Sequence, residues 1–206
     1  MLMANLILPR LGETLIIEPA EEESPDVLFE QAFEFYSAYR IEQDSEGNVL
    51  IMSPTGGKSS LRNNAILFQI TEWATREGRG QVFESNILFV LPDGSKRGPD
   101  AAWVSKETLG RVPPEQEDDF LPVVPEFIIE LRSKSDRLAR LQSKMREWIR
   151  HGVQLAWLID ADQQQVWIYR QGSPEPEILN APVVIKGEGP VSSFRLETKT
   201  VWQGLR

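Results

Sequence analysis

Apolar positions recur along this chain in two rhythms, and the changes between them mark out its elements. Val27, Leu28, Ala32, Phe33, Phe35 and Tyr39 fall mostly on one broad face, which predicts a helix from Val27 to about Tyr39. Ser24-Pro25-Asp26 opens it, with proline at the first helical position. A second helix, Ser59 to about Arg76, carries Leu61, Ala65, Leu67, Phe68, Ile70, Trp73 and Ala74. A third, Arg137 to Arg150, sets Leu138, Leu141, Met145, Trp148 and Ile149 on one face. Ser135-Asp136 reads as its cap and His151-Gly152 as its end.

Between the helices the pattern turns to strands. Arg40-Ile41-Glu42 and Asn48 to Met52, joined by a polar, glycine-bearing turn, predict a hairpin. Further strands are expected at Val82 to Phe89, Pro99 to Val104, Phe127 to Leu131, Val153 to Ile159 and Gln165 to Tyr169. A C-terminal pair follows at Ile178 to Ile185 and Phe194 to Trp202. The nearly unbroken apolar run Val153 to Ile159 suggests burial on both faces. Residues 105–121, with Pro113-Pro114 and many acids, read as a helical turn and an exposed loop. The whole is an α/β (α+β) pattern: residues 1–24 form an N-terminal strand or arm with an acidic turn, and 25–206 one domain.

Composition narrows the chemistry. With 41% hydrophobic and 26% charged residues, the chain has the balance of a globular protein. It has no run of about 18 apolar residues, so no membrane span is expected, and no convincing leader. The absence of cysteine excludes disulfides and thiolate zinc sites and suits a reducing, cytoplasmic setting. With a single histidine, any metal must be held mainly by oxygen, which points to magnesium, manganese or calcium. A net charge of −9 argues against binding nucleic acid through bulk basicity. The stretch 131–150 runs the other way. It carries Arg132, Lys134, Arg137, Arg140, Lys144, Arg146 and Arg150 against Asp136 and Glu147. Such a face suits a phosphodiester, or is simply a solvated helix surface.

Two acids stand out. The strand Phe127-Ile128-Ile129 ends at Glu130, and Asp100 lies in the strand Pro99 to Val104. A buried strand-end carboxylate is costly unless something binds it. Asp100 shares its face with Ala102 and Val104, which leave room for an ion, and Glu130 shares its face with Arg132. If the two strand ends adjoin, a divalent cation removes the repulsion between the acids. Turn or cap chemistry is the plainer alternative for either acid. Lys144 sits at the border of the third helix's apolar face, where it either snorkels to the acids or stays a surface lysine. Arg132 competes for that role but cannot act as a base. Glu42, at a strand start, is a weaker third acid. Gly56-Gly57 before a helix reads as a plain turn in preference to a phosphate cradle. His151 is expected on terminal helix carbonyls, Asp160 and Asp162 in a hairpin turn, and the six tryptophans in the core or an interface.

Pro99-Asp100 followed by Glu130-Leu131-Arg132 resembles the PD-(D/E)XK nuclease signature, an acid on one strand and acid-x-lysine on the next. The wider text is similar to the Uma-type restriction-endonuclease family of that superfamily. The matching stretches are RIEQDSEGNVLIMSPTGG, FESNILFVLPDGSKRGPDAAWVSKE, PEFIIELRSKSDRLARLQSKMREWIRHGVQLAWLID and VWIYR. The resemblance implies a restriction-endonuclease-like mixed sheet flanked by helices and a magnesium-dependent endonuclease site for DNA, with manganese as the alternative ion and homodimerisation as a further expectation. It places Asp100, Glu130 and Glu42 on the metal, with the Leu131 carbonyl. The signature lysine position holds Arg132, a departure. Members shift that lysine into the next helix, where Lys144 stands, and Gln142 would help position the site. A nuclease-fold protein that binds or scaffolds without cutting is the competing expectation.

Overall fold

A computed structural model describes residues 7–204. The first six residues of the expected arm lie outside the described residues. Two sheets and the helices between them decide where the chemistry sits.

The larger sheet has six strands: β4 (Gly80–Glu84), β7 (Ala101–Ser105), β8 (Phe127–Leu131), β9 (Leu155–Asp160), β10 (Gln165–Arg170) and β11 (Glu177–Asn180). Their order is β11-β10-β9-β8-β7-β4, with β8 and β9 parallel and the other neighbours antiparallel. The sheet is therefore mixed. The smaller sheet has the order β1-β3-β2-β6-β5, built from β1 (Thr14–Ile17), β2 (Arg40–Gln43), β3 (Val49–Met52), β5 (Phe89–Val90) and β6 (Lys96–Arg97). The β2–β3 hairpin is as expected, and β1 of the arm pairs along β3. The C-terminal strands β12 (Val184–Lys186) and β13 (Arg195–Glu197) form a separate pair.

Alternation along β8 divides the core. Phe127, Ile129 and Leu131 face one side, with Trp157, Trp103 and Phe194. The long helix α2 (Gly57–Glu77) covers that side with Ile66, Ile70 and Trp73. Ile128 faces the other side, against Ala102, Ala156 and Leu158, where Met145 and Trp148 of α4 (Leu138–Arg150) close the layer. Because α4 is the crossover between β8 and β9, its position is tied to the strand that ends in Glu130. A third cluster packs α1 (Pro25–Phe35) on the smaller sheet through Leu28, Phe29, Ala32, Ile41 and Ile51.

Several elements differ from expectation. The run Val82 to Phe89 is two strands in different sheets: a turn closed by Ile87 N–H to the Glu84 carbonyl (3.2 Å) sends the chain across. The helix α1 stops at Phe35, because a turn closed by Tyr39 N–H to the Tyr36 carbonyl (2.8 Å) must bring Arg40 into β2. Ser135-Asp136 does not cap α4. The first cap position is Arg137, and Asp136 instead accepts from Ser133 N–H at 2.8 Å. Ile178 to Ile185 breaks at Ala181, whose φ is 44°, and residues 199–202 form a helical turn, α5 (Lys199–Trp202). Residues 105–121 contain the expected helical turn, α3 (Lys106–Leu109), and a mostly exposed loop. No helix among the described residues is long and apolar enough to cross a membrane.

Trp148 is fully buried and meets Phe89 edge-on at 6.2 Å, which joins α4 to β5 of the smaller sheet. Replacing it by alanine is expected to cost about 3–5 kcal/mol in urea unfolding. A loss under about 1 kcal/mol would mean that α4 is not seated through this ring.

Candidate active site

The acids meet where the two sheets adjoin. Alternation along β2 sends Ile41 into the cluster under α1 and turns Arg40 and Glu42 to the opposite side. From β6 the chain returns to the larger sheet through Gly98-Pro99-Asp100. Gly98 is required there by close approach: a Cβ would lie 2.5 Å from the Ile87 carbonyl. Ala101 pairs with Ile129 in the β7–β8 ladder, so Asp100 lies beside Glu130. The Leu131 N–H donates to Asp100 Oδ2 at 2.7 Å. Thus the two acids expected to adjoin are neighbours, and Glu42 joins them from the second sheet.

Lys144 projects from α4 into this junction. Its Nζ donates to Glu42 Oε1 (2.9 Å) and to the Gly98 carbonyl (2.7 Å), and it lies 2.7 Å from Glu130 Oε1. That last approach is close in charge but off the direction of a hydrogen bond, so the buried Glu130 Oε1 has no hydrogen-bond partner. Arg40 spans Glu42 Oε1 (3.0 Å) and Asp100 Oδ1 (3.2 Å), and it also donates to the Gly98 carbonyl. Arg97 grips Glu147 of α4 with two bonds, at 3.0 and 2.6 Å, and touches Glu42 at 3.3 Å.

These contacts treat the acids unequally. Burial alone would raise the Glu42 carboxyl, but Lys144, Arg40 and Arg97 outweigh it and hold it at about 2. Burial dominates at Glu130: Lys144 and Arg40 offset it only in part, Asp100 and Glu42 add repulsion, and the carboxyl is pushed up to about 7.

Other expected residues lie at the margin. Arg132 turns from the acids, pairing with Asp160 and donating to the Asp136 carbonyl at 3.2 Å. Gln142, half-buried, lies two positions before Lys144 and so at the other border of the apolar stripe. The His151 ring does not reach helix carbonyls; its Nε2 lies 2.9 Å from Asp93 Oδ2. Asp160 accepts from Asp162 and Gln163 N–H, as a hairpin turn should. Gly56-Gly57 opens α2, which covers the sheet face opposite to Glu130. The tryptophans other than the half-buried Trp202 are buried.

Sequence reasoning missed Arg40, Arg97, Gly98 and Glu147. Arg40 was within reach, since two positions before Glu42 on a strand is the same face. The partnership of Arg97 with Glu147 depends on how α4 packs and leaves no local signal. Arg140, one turn before Lys144, is half-buried near Glu42 and Arg97, with no ion-pair partner among the described residues.

The donor set fits a hard divalent ion. Three carboxylates offer oxygen only, and the buried Glu130 Oε1 has the Lys144 ammonium beside it but no aligned hydrogen bond. A second group, Asp93, Glu147 and His151, has ligand atoms within 4.8 Å of one another. There Arg97 takes both Glu147 oxygens and the Asp93–His151 contact closes the gap, so the group is satisfied by its own neighbours.

Comparison with known families supplies the identity. The Uma2 family, described as "Putative restriction endonuclease", matches residues 14–199. This chain belongs to the Uma2 family. Among solved structures, the Uma2 chain is similar to one described as a "putative nuclease belonging to DUF820" from Anabaena variabilis ATCC 29413. The TM-score is 0.67 at 22% identity, over 79% of this chain and 89% of the other. That likeness shows a shared fold. No curated protein matches the Uma2 chain.

The raised Glu130 sets a pH signature for the metal-free Uma2 protein. Its carboxyl binds a proton more tightly folded than unfolded, so its stability contribution is full below about 4.5 and is lost as pH rises through about 7. Glu42 acts oppositely: its contribution is present above about 4.5 and lost as pH falls towards 2. Glu130→Gln should therefore match the parent near pH 4.5 and exceed it near pH 8 by on the order of 3 kcal/mol. Urea unfolding at the two pH values measures this; equal stability at both would show that Glu130 is not strained by its neighbours.

Proposed function

We propose that this Uma2 protein is a metal-dependent endonuclease that hydrolyses DNA phosphodiester bonds. Asp100, Glu130 and Glu42 would hold a magnesium or manganese ion, with the Leu131 carbonyl as a further ligand. The observation that carries the reading is the reach of Lys144 from α4 to both Glu42 and Glu130. It supports the migrated-lysine arrangement that the family resemblance implies.

A divalent ion at this position supplies Lewis-acid polarisation of the phosphate and a water of lowered pKa. The chain's own groups do the rest. The Lys144 ammonium has three donors at the acid cluster, and one of them, turned to substrate, stabilises charge developing on the phosphoryl oxygens or orients the water. Arg140, one turn away and with no ion-pair partner among the described residues, receives a flanking phosphate. Met145 and Trp148, fully buried on the same helix, keep water out of the layer beneath it. A homodimer in the cytoplasm is part of the same proposal, on the precedent of the superfamily and the cysteine-free composition.

A second reading, a nuclease-fold protein that binds or scaffolds without cutting, has one observation in its favour: Arg40 already spans Glu42 and Asp100. Two measurements separate the readings. Manganese titration by calorimetry should show saturable binding, abolished in the Asp100→Ala, Glu130→Ala double variant. Cleavage of plasmid, linear and single-stranded DNA should fall by about 10²-fold or more in Lys144→Ala while manganese binding persists. Saturable binding with no cleavage of any form would support the second reading, and cleavage undiminished in Lys144→Ala would remove that residue from the mechanism.

A further inference from the structure

Arg40 stands where a cation is needed. Its guanidinium bridges Glu42 Oε1 and Asp100 Oδ1, the two acids that come from different sheets. It also donates to the Gly98 carbonyl, so the three cations of the junction are all held, but in different ways. Arg97 is fixed by a two-bond grip on Glu147, and Lys144 meets Glu42, Glu130 and the Gly98 carbonyl. The Arg40 Nε, by contrast, is buried with no hydrogen-bond partner. The side chain is 22% exposed where Glu42 is 1% exposed, so it has a path to water. It also sits on the first residue of β2, where rotation about the side chain leaves the ladder intact.

Charge balance points the same way. Arg97 and Glu147 offset each other. With Arg40 in place and all three acids ionised, as above about pH 7, three carboxylates face one guanidinium and one ammonium and keep a residual negative charge. A dication added on top of Arg40 would over-fill the cluster. With the dication in and Arg40 out, three carboxylates balance one ammonium and one double charge. A monovalent ion in exchange for Arg40 would gain nothing.

We propose that Arg40 is a built-in counter-ion, which holds the acids together in the metal-free protein and is displaced to solvent when a divalent cation binds. It thereby sets both the affinity and the preference for a double charge. The inference rests on the metal site proposed above. Displacement frees Asp100 Oδ1 and one donor contact on Glu42, and leaves Lys144 as the resident cation. Arg40 is in this sense a positioning residue.

The test uses the intact protein, with manganese chloride for calorimetry and magnesium chloride for NMR. Calorimetry should show Arg40→Gln binding manganese at least about tenfold more tightly than the parent. Arg40→Lys, which keeps the charge but lacks the fork that spans both acids, should fall between them. The metal-free Arg40→Gln protein should melt lower than the parent and gain more from manganese. A purely Coulombic effect is separated by nitrogen-15 NMR of the parent. The restrained Arg40 guanidinium should change to free rotation on magnesium saturation, a readout that also stands if the Arg40→Gln protein does not fold. Equal or weaker binding by Arg40→Gln, or a guanidinium that stays restrained in saturating magnesium, overturns the inference and leaves the metal site standing. Binding by neither folded protein overturns both.

Discussion

Three carboxylates in one water-poor junction are tolerable only because cations are interleaved with them. Lys144 stands between Glu42 and Glu130, and Arg40 between Glu42 and Asp100. Taking such charges from water costs several kcal/mol each, and the attraction repays this only where geometry is good. Glu42, with three cations around it, is well repaid. Glu130 is not: burial outweighs its cations and raises its carboxyl, so the two acids are unequally settled.

The fold exists to bring this about from distant parts of the chain. The chain leaves the larger sheet after β4, pairs briefly in the smaller one, and returns through Gly98-Pro99 to place Asp100 beside Glu130. On the far side, α4 uses its apolar stripe to lie on β9 and β10 and its border to deliver Lys144 and Glu147. The same helix thus seals the core and supplies the charge, so packing error and site error are coupled.

What was legible in the sequence was what local periodicity encodes. A strand ending at Glu130, an acid on the preceding strand and a lysine at the edge of an apolar stripe can each be read within a few turns of chain. That Asp100 and Glu130 are ladder neighbours followed from the family signature, since spacing alone does not choose a partner strand. The exchange of sheets at Ser85-Asn86 was hidden, because Val82 to Phe89 alternates plausibly enough to pass for one strand. Arg97 and Glu147 were hidden for a different reason: fifty positions separate them, and either alone looks like surface charge. The split at Ala181 was hidden too, since its positive φ goes against what alanine prefers.

Arg132 occupies the seat that the PD-(D/E)XK signature gives to lysine, and it has been put to joinery. By pairing with Asp160 it fastens the outgoing ends of the two parallel strands β8 and β9 to each other, and through the Asp136 carbonyl it fastens the loop that leads into α4. That seat is therefore not vacant. A lysine placed there would have to give up that brace before its ammonium could turn to the acids. A search that demands lysine at this slot would discard the chain for having reinforced its frame.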